Sequence, residues 1–453
     1  MFSKLKNTSY VLIVFVLAFL LSMGVFSRNF NGDVNLDGET NVIDALVLNM
    51  HLSKGNALTE KQLRESDCNE DGAVDEADLI SLFCIVIFGV NSPEDIPREE
   101  CSVDFTVDVE TGKDIKILQI ADIQIISLNG VRTTPNNTRY NQVKGAFFTD
   151  DAASHDDYTR TFRYVEEGIE EAKPDLIVLT GDNIYGQTDD SGEDWLAICN
   201  FLDSYEIPWA VTFGNHDNES AKGVRWQIEQ VEKSKYGIIK QGDVTGNANY
   251  TIGIRQGNTY KYIVYMIDTN GCHTYSNPGE GMNHDNVDIK LIKQEAGIYS
   301  DQIEWMKETY KTYTEELNLA LPTIICMHIP PIESLYAVSS VYFDTYGTFP
   351  LIPHRNGDMG ISYEAFGGFV DGGKFWACAK FINCTDILMG HQHKIATSIA
   401  YDGIRLTYGL KTGTYDYHHE DLLGTTEITI SKFNRKTSVR YLKSKLQYSW
   451  VPH

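Results

Sequence analysis

Five short apolar runs in this 453-residue sequence each end in side chains able to hold a metal or move a proton. "IKILQIAD" ends at Asp122, "DLIVLTGD" at Asp182, "WAVTFGNHD" at Asn215, His216 and Asp217, "TIICMH" at His328, and "DILMGH" at His391. Carboxylate, amide and imidazole donors together suit Mn²⁺, Fe or Zn²⁺. His393 follows His391 by two residues, so in extended chain both rings point to one side. Two nearby histidines alone are an ordinary surface feature. Preceded by GD, GNHD and a lone histidine at a strand end, they become part of a ligand set.

The elements that must position these residues are legible in the same runs. Short, uniformly apolar strands are those covered on both faces. Amphipathic stretches lie between several of them, including "TRTFRYVEEGIEEA" (159–172) and "EDWLAICNFLDSY" (193–205). Alternating strands and helices predict an α/β domain, whose sites gather at the carboxyl ends of strands. The polar run ends should therefore converge. Asp268, after "YIVYMID", mimics the pattern and is read as a structural strand end.

A second chemistry precedes this domain. "DVNLDGETNVID" (33–44) and "DCNEDGAVDEAD" (67–78) match each other, with oxygen side chains at positions 1, 3, 5, 9 and 12 and glycine at 6. Calcium takes six to eight hard oxygen ligands, and the glycine allows the loop to wrap. The first loop offers Asp33, Asn35, Asp37, Asn41 and Asp44, with the Glu39 carbonyl. The second offers Asp67, Asn69, Asp71, Asp75 and Asp78, with the Ala73 carbonyl. Two Ca²⁺ ions are expected, in a small all-α module at 28–90 that folds around them.

The net charge of −25 speaks against a nucleic-acid surface, which needs Lys and Arg for phosphates. It does not exclude phosphate-ester chemistry, because bound cations can supply local positive charge. Lys4 and Lys6 precede an uncharged, mostly apolar stretch from Tyr10 to Phe26, the layout of a secretory signal peptide over 1–27. A secreted protein with no membrane span after cleavage is expected, an uncleaved anchor being the alternative. "NSPEDIPREECS" opens a linker assigned to 91–112, and the second domain is assigned to 113–453. Cys68 could pair with Cys84, and Cys378 with Cys384; spacing leaves both open.

Residues 29–90 resemble a dockerin, the paired calcium-loop module that plugs secreted enzymes into cohesin domains of a cellulosome-like scaffold. The resemblance rests on the two loops, on Asp at position 12 and on their spacing; it implies a scaffoldin cohesin as partner. The positions that usually carry matching contact residues differ here, being Val42-Ile43 and Glu76-Ala77.

"ADIQ" (121–124), "GDN" (181–183), "GNHD" (214–217), "MH" (327–328) and "GHQH" (390–393) together resemble the calcineurin-like metallophosphoesterase superfamily. "KPDLIVLTGD" and "YGLKTGTYDY" look like its purple-acid-phosphatase-related bacterial and fungal branch. The resemblance implies a four-layer α/β/β/α sandwich, with "TTEITISKF" and "TSVRYLKS" closing the second sheet. It implies two divalent cations (Mn, Fe or Zn) bridged by Asp182, one also held by Asp122, Gln124 and His393, the other by Asn215, His328 and His391. It places His216 beside the phosphate, with Asp217 as an orienting partner. Gln124 departs from the pattern, which has histidine there, and a neutral amide oxygen is the weaker donor. The expected reaction is hydrolysis of small phosphate monoesters by hydroxide activated between the metals. A phosphodiesterase or nucleotide diphosphatase on the same site is one alternative; a scaffold-bound interaction protein with a vestigial catalytic domain is another. His273, His284, His354, His418 and His419 are read as surface residues. Arg132, Arg139 and Arg355 are unranked candidates for phosphate contacts, and 349–376 is either a pocket wall or an ordinary connection.

Overall fold

The computed structural model describes residues 32–90, 92, 95, 97–125, 151–185, 191–220, 222–271, 295–341 and 358–443. The expected signal peptide lies outside these residues. Two units divide the chain, Met1–Arg98 and Glu99–His453.

In the first unit each twelve-residue loop runs into a helix: α1 (Val42–Lys54) and α3 (Glu76–Phe88), with α2 (Glu60–Ser66) between them. The loops repeat each other bond for bond. The N–H at position 5 donates to the side chains at positions 1 and 3: Asp37 to Asp33 and Asn35 (2.9 and 2.8 Å), Asp71 to Asp67 and Asn69 (both 3.1 Å). The residue at position 4 is left-handed in both, Leu36 at φ 64° and Glu70 at φ 60°. Asn41 and Asp75 cap the helices in capping boxes closed by Asp44 and Asp78. These last carboxylates also accept from the loop starts, Asp44 from the Asn35 N–H and Asp78 from the Cys68 N–H (2.9 and 2.8 Å). They tie each loop's start to its end and are fully buried. Burial, with Asp37 and Asp33 close by, holds the Asp44 carboxyl above its usual range. Val34, Ala45, Leu48, Leu82 and Ile85 pack the helices together.

The second unit stacks two sheets. One has the order β14-β13-β2-β3-β4-β5, with β2 (Ile115–Ile120), β3 (Leu176–Thr180), β4 (Trp209–Thr212) and β5 (Gly237–Ile238) parallel. The other has the order β1-β6-β7-β8-β10-β12-β11-β9. It comprises β1 (Phe105–Val109), β6 (Tyr250–Gln256), β7 (Thr259–Met266), β8 (Thr323–Cys326), β9 (Met359–Ser362), β10 (Cys384–Met389), β11 (Ile395–Tyr401) and β12 (Ile404–Tyr408). β8, β10 and β12 are parallel neighbours. β1, inside the segment assigned to a linker, pairs with β6. β13 (Gly424–Ile430) and β14 (Thr437–Lys443), the expected closing strands, join the sheet that begins with β2, where Ile428 faces Ile117. β14 is its outer edge, and Arg440 there pairs with Glu427 and Glu171.

Alternation along the central strands shows why apolar residues occupy both of their faces. Val264 and Met266 join the core between the sheets, whereas Ile263, Tyr265 and Ile267 face the outer helices. Ile324 and Cys326 point inward, Ile325 and Met327 outward. α4 (Asp151–Ala172) lies on β2 and β13, and Val165 and Ile169 pack into the inner cluster with Trp195 and Leu202 of α5 (Glu193–Asp203). Ile303, Met306 and Tyr310 of α6 (Ser300–Leu317) and Phe375 and Cys378 of α7 (Lys374–Phe381) cover the other outer face. The layers are therefore helix, sheet, sheet, helix, the expected sandwich. Cys68, Cys378 and Cys384 form no disulfide, so neither candidate pairing is made. Among the described residues no helix is long and apolar enough to cross a membrane.

Replacing Asp78 by Ala removes the acceptor for the Cys68 and Asp75 N–H groups and undoes one capping box. The first unit is expected to lose about 2–4 kcal/mol in calcium-free buffer. Urea denaturation of the full chain, followed by far-UV circular dichroism, reads this; an unchanged first transition would contradict the double role of the carboxylate.

Candidate metal centre

Strand ends from both sheets meet at one edge of the sandwich. Asp122 and Gln124 follow β2, Asp182 follows β3, and Asn215 and His216 follow β4. From the other sheet, His328 follows β8, and His391 and His393 follow β10. Asp182, His328 and His391 offer ligand atoms all within 4.8 Å of one another, and so do Asp122, Asp182 and His393. Asp182 belongs to both groups. The Asn215 side-chain oxygen lies 3.3 Å from His328 Nε2, which adds it to the first.

The backbone is forced into this arrangement. Asp122, Gln124, Asp182 and His391 have φ of 52°, 42°, 49° and 72°, a left-handed conformation that costs a non-glycine residue about 1–2 kcal/mol. Such strain persists where surrounding bonds over-determine it. The Asp122 N–H donates to the Gly181 carbonyl at 3.2 Å, and the Gln124 N–H to that of Asp182 at 2.9 Å. Two motif glycines are explained by close approach. A Cβ on Gly214 would sit 2.1 Å from Asp182 Oδ1, and one on Gly390 2.7 Å from Asp122 Oδ2.

The imidazoles are oriented from behind. His328 Nδ1 donates to the Thr180 carbonyl at 2.8 Å and His393 Nδ1 to that of Tyr417 at 3.0 Å, leaving each Nε2 for the site. His393 Nε2 is 3.4 Å from Asp122, and His328 Nε2 is 3.3 Å from Asp182. Burial alone would raise both carboxyls, but His393 and His328 hold Asp122 below its usual range, and His328 and His216 hold Asp182 far below it. Burial would likewise lower His328, yet Asp182 and Asp122 push it up to about 9. His391 goes down to about 4, through burial and the neighbouring His328. Two buried carboxylates, three imidazoles and an amide oxygen on one small volume are a donor set for divalent first-row cations.

His216 borders this set. Its N–H donates to Asp182 Oδ1 at 2.8 Å, and its ring stacks on Tyr185 with centroids 4.7 Å apart. Its expected orienting partner is displaced. Asp217 turns into the protein and accepts from the N–H groups of Gly214, Asn183 and Ile184 (2.7, 2.9 and 3.1 Å), pinning two strand-end turns together. His216 Nδ1 instead meets Glu219 Oε2 at 2.7 Å. Burial opposes protonation, but Asp182 and Glu219 raise His216 to about 9. Asp217, fully buried near Asp182, is raised to about 7.

Gln124 reaches the centre with its amide nitrogen, which donates to Asp182 Oδ2 at 3.2 Å. Its oxygen accepts from Lys411 Nζ at 2.5 Å. Lys411, past the end of β12, is fully buried; burial pulls its amine below the usual lysine value, while Asp122 and Asp416 work to keep the proton. Sequence reasoning missed Lys411 and Glu219, although "YGLKTG" places a charged residue just beyond an apolar strand. Asp268 is structural as expected and accepts from the Asn247 and Asn270 N–H groups, both at 2.7 Å. His418, read as a surface residue, has its side chain tucked in, with ring nitrogens 3.0 Å from the Asp416 carbonyl and 3.3 Å from Glu420. His419 stacks on Tyr363. His273, His284, His354, Arg132, Arg139 and Arg355 lie outside the described residues.

Comparison with known proteins shows the family of the second unit. The calcineurin-like phosphoesterase family model matches residues 115–394, and the chain belongs to that family. The dockerin type I domain model matches residues 31–82. An uncharacterised protein of Schizosaccharomyces pombe is 29% identical over 239 residues, covering 51% of this chain and 40% of that protein. Phosphatase DCR2 of Saccharomyces cerevisiae is 28% identical over 253 residues, 52% of this chain and 38% of its own length. The match to "Probable inactive purple acid phosphatase 29" of Arabidopsis thaliana is 24% over 388 residues, 82% of this chain and 91% of that protein. The chain thus spans about two fifths of the two yeast relatives. A dimetal phosphatase of Danio rerio aligns with TM-score 0.38 and 12% identity over 72% of this chain and 98% of that one.

His216 and His328, ordinarily near 6.5, both stand at about 9. A base held above its unfolded value stabilises fully below pH 6.5 and loses that contribution as pH rises through 9. The metal-free protein is therefore expected to lose melting temperature between pH 6.5 and 9.5, and Glu219→Gln to shrink the loss. Calorimetry in chelator across that window checks it; a flat profile would refute the ion-pair account.

Proposed function

We propose that the second unit hydrolyses phosphate monoesters outside the cell. The first unit would bind two Ca²⁺ ions and attach the enzyme to a cohesin domain of a cellulosome-like scaffold. The observation that carries the catalytic reading is Asp182, itself buried and shared by two ligand groups drawn from both sheets. Asp122 and His393 complete one position; Asn215, His328 and His391 complete the other.

Divalent cations held there would supply the positive charge this acidic site lacks, clamp phosphoryl oxygens and lower the pKa of water. The chain's own residues do the rest. His216 keeps Nδ1 on Glu219, so Nε2 is the nitrogen free to face a phosphate. Protonated at Nε2, with Glu219 balancing the charge of the ring, it would offer that proton to a phosphoryl or leaving-group oxygen. Tyr185 holds the ring plane by stacking. Asp217 serves indirectly, fixing the turns that present Asp182 and Asn215. A phosphodiesterase or nucleotide diphosphatase is the second reading, favoured by Gln124 in place of a histidine.

The test uses the full chain, stripped by chelator and reloaded with Mn²⁺, Fe²⁺ or Zn²⁺, on nitrophenyl phosphate beside its bis-ester. Monoester turnover should dominate; dominant diester turnover would move the assignment to the second reading. His391→Ala should lower turnover at least about 100-fold while leaving calcium-dependent cohesin capture unchanged. His216→Asn should lower kcat about 10²–10⁴-fold with little change in bound metal. No turnover by folded, metal-loaded protein would reject the enzyme.

A further inference from the structure

Both polar atoms of the Gln124 amide are engaged. Lys411 Nζ donates to its oxygen at 2.5 Å, and its nitrogen donates to Asp182 Oδ2 at 3.2 Å. The amide cannot be turned over. An ammonium offers only donors and a carboxylate only acceptors, so the reverse orientation would set NH₂ against NH₃⁺ and C=O against carboxylate. Lys411 is equally fixed. Its Nζ also donates to the Asp122 carbonyl at 3.1 Å, and its backbone bridges Ala121 on one side and Leu423 on the other. The Gly424 N–H closes the contact on the Lys411 carbonyl at 3.0 Å.

The two halves of the centre are consequently unequal. Around His328 and His391 stand four side-chain donors, counting Asp182 and Asn215. Around Asp122 and His393 stand three, counting Asp182, because the fourth candidate is turned to a lysine. We propose that Lys411 makes the centre asymmetric. By withholding the Gln124 oxygen and placing an amine behind it, Lys411 turns the Asp122–Asp182–His393 position into a weak, exchangeable cation site. The Asp182–Asn215–His328–His391 position binds tightly. Lys411 is thus a positioning residue that sets metal occupancy, an inference that rests on the metallophosphoesterase reading above.

Metal content tests this independently of turnover. Stripped full-length protein is titrated with Mn²⁺ while free Mn²⁺ is followed by electron paramagnetic resonance, in excess Ca²⁺ to saturate the first unit. The wild type should take one equivalent at least about 30-fold more tightly than the second. Lys411→Met should tighten the second equivalent about 10-fold or more and leave the first unchanged. Gln124→Ala should not weaken the second equivalent, because its oxygen is not a ligand. Two equally tight equivalents in the wild type, or loss of the second in Gln124→Ala, would overturn the asymmetry while leaving the phosphoesterase reading standing. Failure to bind Mn²⁺, Fe²⁺ or Zn²⁺ at either position would overturn both. Should Lys411→Met not fold, the wild-type ratio and Gln124→Ala decide.

Discussion

Buried carboxylates can be held inside a protein only if opposite charge and hydrogen-bond donors reach them from all sides. Asp122 and Asp182 are buried at the edge where the two sheets meet, and their partners come from both sheets. Neither sheet could satisfy them alone. The alignment of the sheets is held by other cross-links nearby. Gln119 Nε2 donates to the Met389 carbonyl at 2.9 Å, Thr212 Oγ1 to that of Ile267 at 2.9 Å, and Lys411 carries β12 across to the other sheet. A slip of one strand would put an apolar residue where a ligand stands, because side chains alternate faces along a strand.

The two carboxylate-rich regions of this chain meet the same problem differently. In the N-terminal loops the carboxylates lie mostly near water, and neighbouring backbone N–H groups answer them. Among the loop carboxylates only those at the twelfth position are fully buried, and there one carboxylate serves both loop and helix. In the phosphoesterase unit the burial is deep and the answer is long-range, carried by imidazoles from distant strands. Left-handed backbone recurs at four residues of the deep centre, held there by the fold around it.

Much of the centre was legible because its ligands sit at ends of apolar runs, where the change from apolar to polar marks both strand end and site. The two twelve-residue loops were legible because their oxygen side chains are local. What escaped the sequence was choice among neighbours. "GNHDNES" offers His216 two nearby carboxylates, and only the short 3₁₀ turn at Asp217–Glu219 decides that Glu219 meets the ring and Asp217 turns inward. Lys411 escaped because its importance depends on a contact 287 residues away. The role of Gln124 changes with it: spacing located the residue, and only the fold shows which atom faces the carboxylate. The start of the second unit was likewise hidden, since β1 gains its partner from β6 far along the chain.

The exposed rim of the six-stranded sheet has a meaning of its own. An edge strand carries unpaired N–H and C=O groups that invite another chain to extend the sheet. Along β14, Arg440 is anchored to Glu427 and Glu171, and Lys443 stands at the end of the strand. A strand arriving from another molecule would have to dehydrate these charges before gaining any ladder bond. β5, at the opposite rim, is only two residues long. Crowding of many copies, the condition that docking on a shared scaffold would create, therefore meets guarded or very short edges at both described rims of the six-stranded sheet.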